Sequence, residues 1–152
     1  MGGRIDEPLN ETGLKQAEEL TRKLKDNFDI IISSPLKRTR KTSEIIAKKF
    51  NKEIVFSNYL KERDLGSLSG TVWKEGEKEK GSIEYDYHPY GGESVNDVKE
   101  RLQRFLEGTS KNYAGKTVLV VTHGGIVRLM YHLHGKEEIG NVGNISLHEF
   151  EL

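Results

Sequence analysis

Cysteine is absent from this chain. That excludes disulfide staples, a thiolate nucleophile and thiolate metal sites together, and it fits a reducing compartment. Excess charge is absent too: Lys plus Arg and Asp plus Glu each number 24. A chain without net charge has no bulk attraction for nucleic acid or for an anionic membrane, so any anion site must be a local pocket. Long apolar runs are missing; none approaches the roughly 20 residues that a membrane-spanning helix needs. The opening residues, Met1-Gly2-Gly3-Arg4-Ile5-Asp6, have no apolar core of the kind a secretory signal carries. No internal repeat, low-complexity tract or linker divides the 152 residues. What remains is a single domain over residues 1–152, soluble and cytoplasmic, with one sizeable core.

What is present centres on Val118-Leu119-Val120-Val121-Thr122-His123-Gly124-Gly125. Four apolar, mostly β-branched residues in a row read as a strand covered on both faces. Ile126 to Tyr131 then reads as a helix. A histidine at the C-terminal end of a buried strand, ahead of glycines and a helix, stands where open α/β sheets bind ligands. The glycines let main-chain N–H groups approach an anion, and a helix N-terminus adds partial positive charge.

Upstream, Leu14, Ala17, Leu20 and Leu24 recur at helical spacing, with Asn10 or Thr12 as the N-cap. Asp29 to Ser33 is a short apolar strand without alternation. Ser34-Pro35 ends it, and Pro35 opens a helix from Leu36 to Phe50 with Ile45, Ile46, Ala47 and Phe50 inward. Glu53 to Phe56 is a third strand, and Asn58 to Gly70 is turn-rich. Val72 to Ser82 is a charged run that reads as a solvated helix face or a lid. Tyr85 to Gly92 is a loop. Val95 to Gly108 is a helix with Val95, Val98, Leu102, Phe105 and Leu106 on one face. Ile145 to Leu152 alternates and predicts a closing strand. Strands alternating with helices predict an α/β domain with a largely parallel sheet.

Loops that follow parallel strands share one rim. That rule brings together His123, Arg38 (one turn into the helix after Ser33-Ser34-Pro35), Glu62 in Leu60-Lys61-Glu62-Arg63-Asp64, and Gly3-Arg4 of the first loop. An arginine fork, an imidazole, main-chain amides and one carboxyl group make a phosphate pocket with a proton donor. His132 and His134 are two residues apart, so they point to different faces of a helix and read as packing rather than as a metal pair. No metal or other cofactor is expected.

Five stretches, in this order, resemble the histidine phosphatase superfamily, also called phosphoglycerate mutase-like: Gly3 to Gly13, Ser33 to Thr42, Leu60 to Gly70, Gly91-Gly92-Glu93-Ser94, and Val118 to Gly125. The resemblance implies a three-layer α/β/α sandwich and a phosphohistidine mechanism on small phosphorylated metabolites. It implies that Arg38 is the second phosphate-clamping arginine, Glu62 the proton donor and His123 the second histidine. It also implies that the main-chain N–H of Gly124 is a further phosphate contact. Gly3 and Arg4 fall in the loop that closes over the substrate phosphate.

The family's opening Arg-His-Gly, which carries the nucleophile at the end of a central strand, has no match in this sequence. The chain thus reads as N-terminally truncated relative to the family, without its first central strand, and as inactive or weak. Loss of a nucleophile lowers turnover by roughly a millionfold in another hydrolase. Two further readings are carried: a non-catalytic phosphate-binding module and a phosphoglycerate mutase. The expected partner is a small phosphorylated metabolite or inorganic phosphate, with no nucleic acid and no membrane. Without the missing strand, Val118 to Val121 would have an unpaired edge. The sheet closes up, the C-terminal strand is rearranged, or another chain pairs there as a homodimer; the last is favoured.

Overall fold

The computed structural model describes residues 3–72, 82, 84–135 and 142–151. Three strands form the sheet: β1 (Ile30–Ser33), β2 (Ile54–Phe56) and β3 (Val118–Val121). They are parallel, in the order β2-β1-β3. Four helices accompany them: α1 (Glu11–Lys23), α2 (Lys37–Phe50), α3 (Val95–Asn112) and α4 (Gly124–Leu133).

The period of two along a strand sorts side chains into two cores. Ile31 packs with Phe28 and Ile46, against α1 and α2, and Leu119 and Val121 of β3 lie on that side. Ile32 packs with Val98, Leu102 and Ile126, against α3 and α4, joined by Val118 and Val120. Helices thus cover both faces of β1, and the three layers expected of the α/β class are present. No helix among the described residues is long and apolar enough to cross a membrane.

Local chemistry sets the helix starts. The Asn10 side chain accepts from the Gly13 N–H and caps α1. Ser94 and Asp97 form a capping box at α3. For α2 the cap comes from afar: Asp6 Oδ1 accepts the Lys37 N–H at 2.6 Å, which fastens the first loop to the start of that helix. Pro35 lies just outside α2 rather than in its first turn, because Leu36, with extended backbone, is the N-cap.

Two sequence expectations fail. All four residues of β3 are only partly buried, although alternate side chains pack into the cores on both faces. The reason is position: β3 pairs with β1 on one side, and among the described residues no strand lies on the other. Val121 C=O receives the Ser34 N–H at 2.9 Å from the β1 side, so alternation turns the main-chain groups of Val120 toward the free side. A cavity of about 950 Å³ runs along that edge from Leu119 to His123, between α1 and residues 142–147. The second failure is the closing strand. Residues 145–151 form no strand, since Ile145 has φ 63° and breaks the extended course. Phe150 and His148 pack instead on Tyr131 of α4, with ring centroids 5.0 and 5.5 Å away. The charged run's residues 73–81 lie outside the described residues.

The turn-rich segment after β2 contains two short 3₁₀ turns, Asn58–Leu60 and Gly66–Leu68. Gly66 has φ +56°, and a Cβ there would sit 1.9 Å from the Tyr90 carbonyl oxygen. Gly66→Ala is therefore expected to destabilise the fold by roughly 2–4 kcal/mol, read as a lowered urea midpoint. Gly115 shares the left-handed backbone, at φ +73°, but nothing lies within 4 Å of its Cβ position. Its alanine variant should lose only about 1–2 kcal/mol. Equal losses at the two positions would remove the packing explanation.

Candidate phosphate-binding site

The C-terminal ends of β1 and β3 are neighbours, with Ser33 opposite Val121. Each strand runs straight into its own helix at that rim. Arg38 therefore rises in the first turn of α2, and His123 stands as the N-cap of α4.

The two side chains touch: Arg38 Nε donates to His123 Nδ1 at 3.3 Å. An accepting Nδ1 assigns the proton to Nε2, which lies 2.9 Å from Ser34 Oγ and donates to it. The other Arg38 nitrogens donate to Ile5 C=O at 2.8 Å and to Gly3 C=O at 3.0 Å. Two of the five guanidinium N–H groups remain without a hydrogen bond among the described residues. Burial pulls the Arg38 guanidinium down from its ordinary value, and the charges of Glu62, Asp6 and Glu7 oppose that pull.

Glu62 reaches the same rim from the loop after β2. Its carboxylate accepts the Arg63 N–H at 2.9 Å and the Gly125 N–H, in the first turn of α4, at 3.3 Å. A Cβ at residue 125 would come within 2.5 Å of Glu62 Oε1, so glycine is what permits this approach. The Gly124 N–H, also in the unpaired first turn of α4, has no partner among the described residues. Gly3, Arg38, Glu62, His123 and Gly124 line one cavity, the groove beside β3.

Arg4 stands apart. Its Nε donates to Glu62 C=O at 3.0 Å, and its terminal nitrogens pair with Asp64 at 3.2 Å and Glu93 at 2.7 Å. It braces the Glu62 loop and is not a lining residue of the cavity. Ser34 is a site residue that sequence reasoning missed. It lies in one of the five family-like stretches, but nothing local signals its bond to an imidazole 89 positions away.

His123 is 7% exposed. Burial first, then the Arg38 and Arg101 charges, pushes its pKa down to about 3. It is neutral throughout the physiological range. An unfolded histidine titrates near 6.5, so between 6.5 and 3 the unfolded chain binds a proton that the folded chain does not. The stability tied to His123 is complete above pH 6.5 and falls as the pH drops toward 3, at up to about 1.4 kcal/mol per pH unit. Urea midpoints at pH 7.5 and 5 should differ more for the parent chain than for His123→Gln. An equal drop in both would contradict the buried neutral imidazole.

An arginine, a neutral histidine, the free Gly124 amide at a helix N-terminus and a carboxyl group thus surround one cleft at the strand ends of a parallel sheet, a set of groups suited to an anion. The chain belongs to the histidine phosphatase superfamily (branch 1), whose family model matches residues 1–152. It is 41% identical over 140 residues to the metal-independent phosphoserine phosphatase of Arabidopsis thaliana, covering 85% of this chain and 59% of that protein. It is 31% identical over 163 residues to phosphoglycerate mutase-like protein 4 of the same plant, covering 99% of this chain and 71% of the relative. Among solved structures, a mycobacterial glucosyl-3-phosphoglycerate phosphatase superimposes with a TM-score of 0.80 at 26% identity, over 96% of this chain and 80% of the other. The chain thus spans about three fifths to four fifths of the length of these relatives.

Proposed function

We propose that residues 1–152 are one domain that handles the phosphoryl group in hydrolysis of small phosphomonoesters. The observation that carries this reading is the Arg38–His123 hydrogen bond of 3.3 Å at the joined ends of two parallel strands, on a cavity shared with Glu62. In it, the free N–H groups of Arg38 and the N–H of Gly124 hold the phosphoryl oxygens, and His123, fixed by Ser34, orients the Arg38 guanidinium toward them. Gly3 keeps Arg38 in place through its carbonyl, and Arg4 holds the Glu62 loop. Glu62 hands a proton to the leaving oxygen as the phosphoryl group passes to the histidine of the Arg-His-Gly that the resemblance implies, and water then hydrolyses the phosphohistidine. Phosphoryl transfer depends on positioning and charge stabilisation more than on covalent work by the protein, so such groups suit it. No metal or cofactor enters the reading. The names of the relatives point to phosphoserine and glucosyl-3-phosphoglycerate as first substrates to try.

A second reading is a phosphate-binding module without turnover. It needs only the groups held in place at the rim, Arg38 and His123 among them, and no nucleophile. A mutase is the third. Release of inorganic phosphate from phosphoserine or glucosyl-3-phosphoglycerate, blocked by vanadate, would support the hydrolase. Phosphate binding with no release supports the module, and transfer to a second hydroxyl without release supports the mutase. The open edge of β3 adds a proposal about assembly: a second copy covers it as a homodimer. A monomer by sedimentation at every concentration would count against that. The reading places the protein in the cytoplasm, in keeping with its lack of cysteine.

A further inference from the structure

We infer that Glu93 is a positioning residue for Glu62, acting through two arginines; the inference rests on the reading of Glu62 as the proton donor. The Glu62 main-chain carbonyl accepts from two guanidinium groups, Arg4 Nε at 3.0 Å and an Arg101 terminal nitrogen at 3.4 Å. One carboxylate holds both cations. Glu93 Oε1 accepts from Arg4 at 2.7 Å and from Arg101 Nε at 3.0 Å. Its Oε2 accepts from Arg101 at 3.1 Å and from the Asp64 N–H at 3.0 Å.

Burial gives this cluster its rigidity. The side chains of Glu93 and Arg101 are 17% and 12% exposed, so the pair is shielded far better than a surface ion pair. Arg101 belongs to α3, and Glu93 immediately precedes that helix's capping box. The loop is therefore fastened to the start of a helix rather than left to its own turns. Thr122 Oγ1 adds a bond to Leu60 C=O at 2.8 Å, which ties the loop's other side to the end of β3. Backbone held at residues 60, 62 and 64 sets the point from which the Glu62 carboxylate reaches the Arg63 and Gly125 N–H groups.

Removing the Glu93 charge leaves two guanidinium groups around one carbonyl, Arg4 still paired with Asp64 and Arg101 without a carboxylate partner among the described residues. Like charges at that range repel, and both grips on the Glu62 carbonyl should slacken. Arg38 and His123 make no bond to this cluster, so their contact should persist.

The test is amide hydrogen exchange in this chain, comparing Glu93→Gln with Val98→Ala. Val98 is fully buried in α3 and takes no part in the clamp, so its variant reports plain loss of stability. At matched global stability, the Gly125 amide should exchange roughly tenfold faster or more in Glu93→Gln than in Val98→Ala, because a carboxylate acceptor has moved away. The Arg38 Nε–H, bonded to His123, should keep its parent protection. A Gly125 amide that behaves alike in the two variants would overturn the positioning role. The role of Glu62 is decided separately, in a form with measurable turnover. There, Glu62→Gln should slow an alkyl phosphate far more than p-nitrophenyl phosphate, whose leaving group needs no proton, and Glu93→Gln should shift that ratio the same way. An unmoved ratio in Glu62→Gln refutes the proton donor while the exchange result still stands. A ratio moved by Glu62→Gln but not by Glu93→Gln refutes the clamp.

Discussion

Supplying this chain with a strand that ends in Arg-His-Gly is expected to raise its turnover of p-nitrophenyl phosphate by about a millionfold, the scale set by removal of a nucleophile in another hydrolase. The free side of β3 is where such a strand fits. The main-chain groups of Val120 face that side, and the cavity follows the edge from Leu119 to His123. A strand laid parallel to β3 has its C-terminal end at the rim that holds Arg38 and His123. The residue at that end then faces the same phosphoryl group that those side chains grip. The comparison needs the parent chain, the extended chain and the extended chain with Gln in place of the added histidine. Activity should appear only in the second. Equal activity in the parent and the extended chain would mean that the nucleophile lies elsewhere in these 152 residues.

The other large effect belongs to Arg38. Arg38→Met is expected to weaken binding of inorganic phosphate by roughly 10²–10⁴-fold, as two charge-assisted hydrogen bonds of about 1.5–3 kcal/mol each are lost. Its lysine variant keeps the charge but not the fork and should fall between. Arg40 is the control. It lies two residues on in the same helix and stacks over Phe56 at 3.9 Å, away from the cavity. Arg40→Met should leave phosphate affinity within about twofold, a change of roughly 0.4 kcal/mol. Calorimetric titration reads both. Comparable losses in the two variants would mean that helix damage, not a phosphate contact, explains the effect.

The strand ends were legible because chemistry and topology coincide there. A buried parallel strand must stop at a rim, and the residues next along the chain line that rim. That is why Arg38, Glu62 and His123 could be grouped from sequence alone, and why the structure brings them to one cavity. The helix faces came from spacing: Val95, Val98, Leu102 and Phe105 are all buried. The failures have a common source, which is that pairing partners leave no local mark. The unpaired edge of β3 was expected from the unmatched Arg-His-Gly strand, but four apolar residues do not show how far such an edge exposes them. Alternation in 145–151 could not disclose a left-handed Ile145 or aromatic packing on Tyr131. The arginines were ambiguous for the same reason. Arg4 and Arg38 both stand in family-like stretches, yet only the folded chain assigns one to Glu93 and the other to His123.

Titration of amide-labelled protein with inorganic phosphate bears most directly on the pocket itself. Saturable shifts concentrated at Gly124, Gly125 and the Arg38 and His123 side chains are expected, and they should vanish in Arg38→Met. Shifts spread over the surface, or none at all up to millimolar phosphate, would contradict a phosphate pocket at this rim.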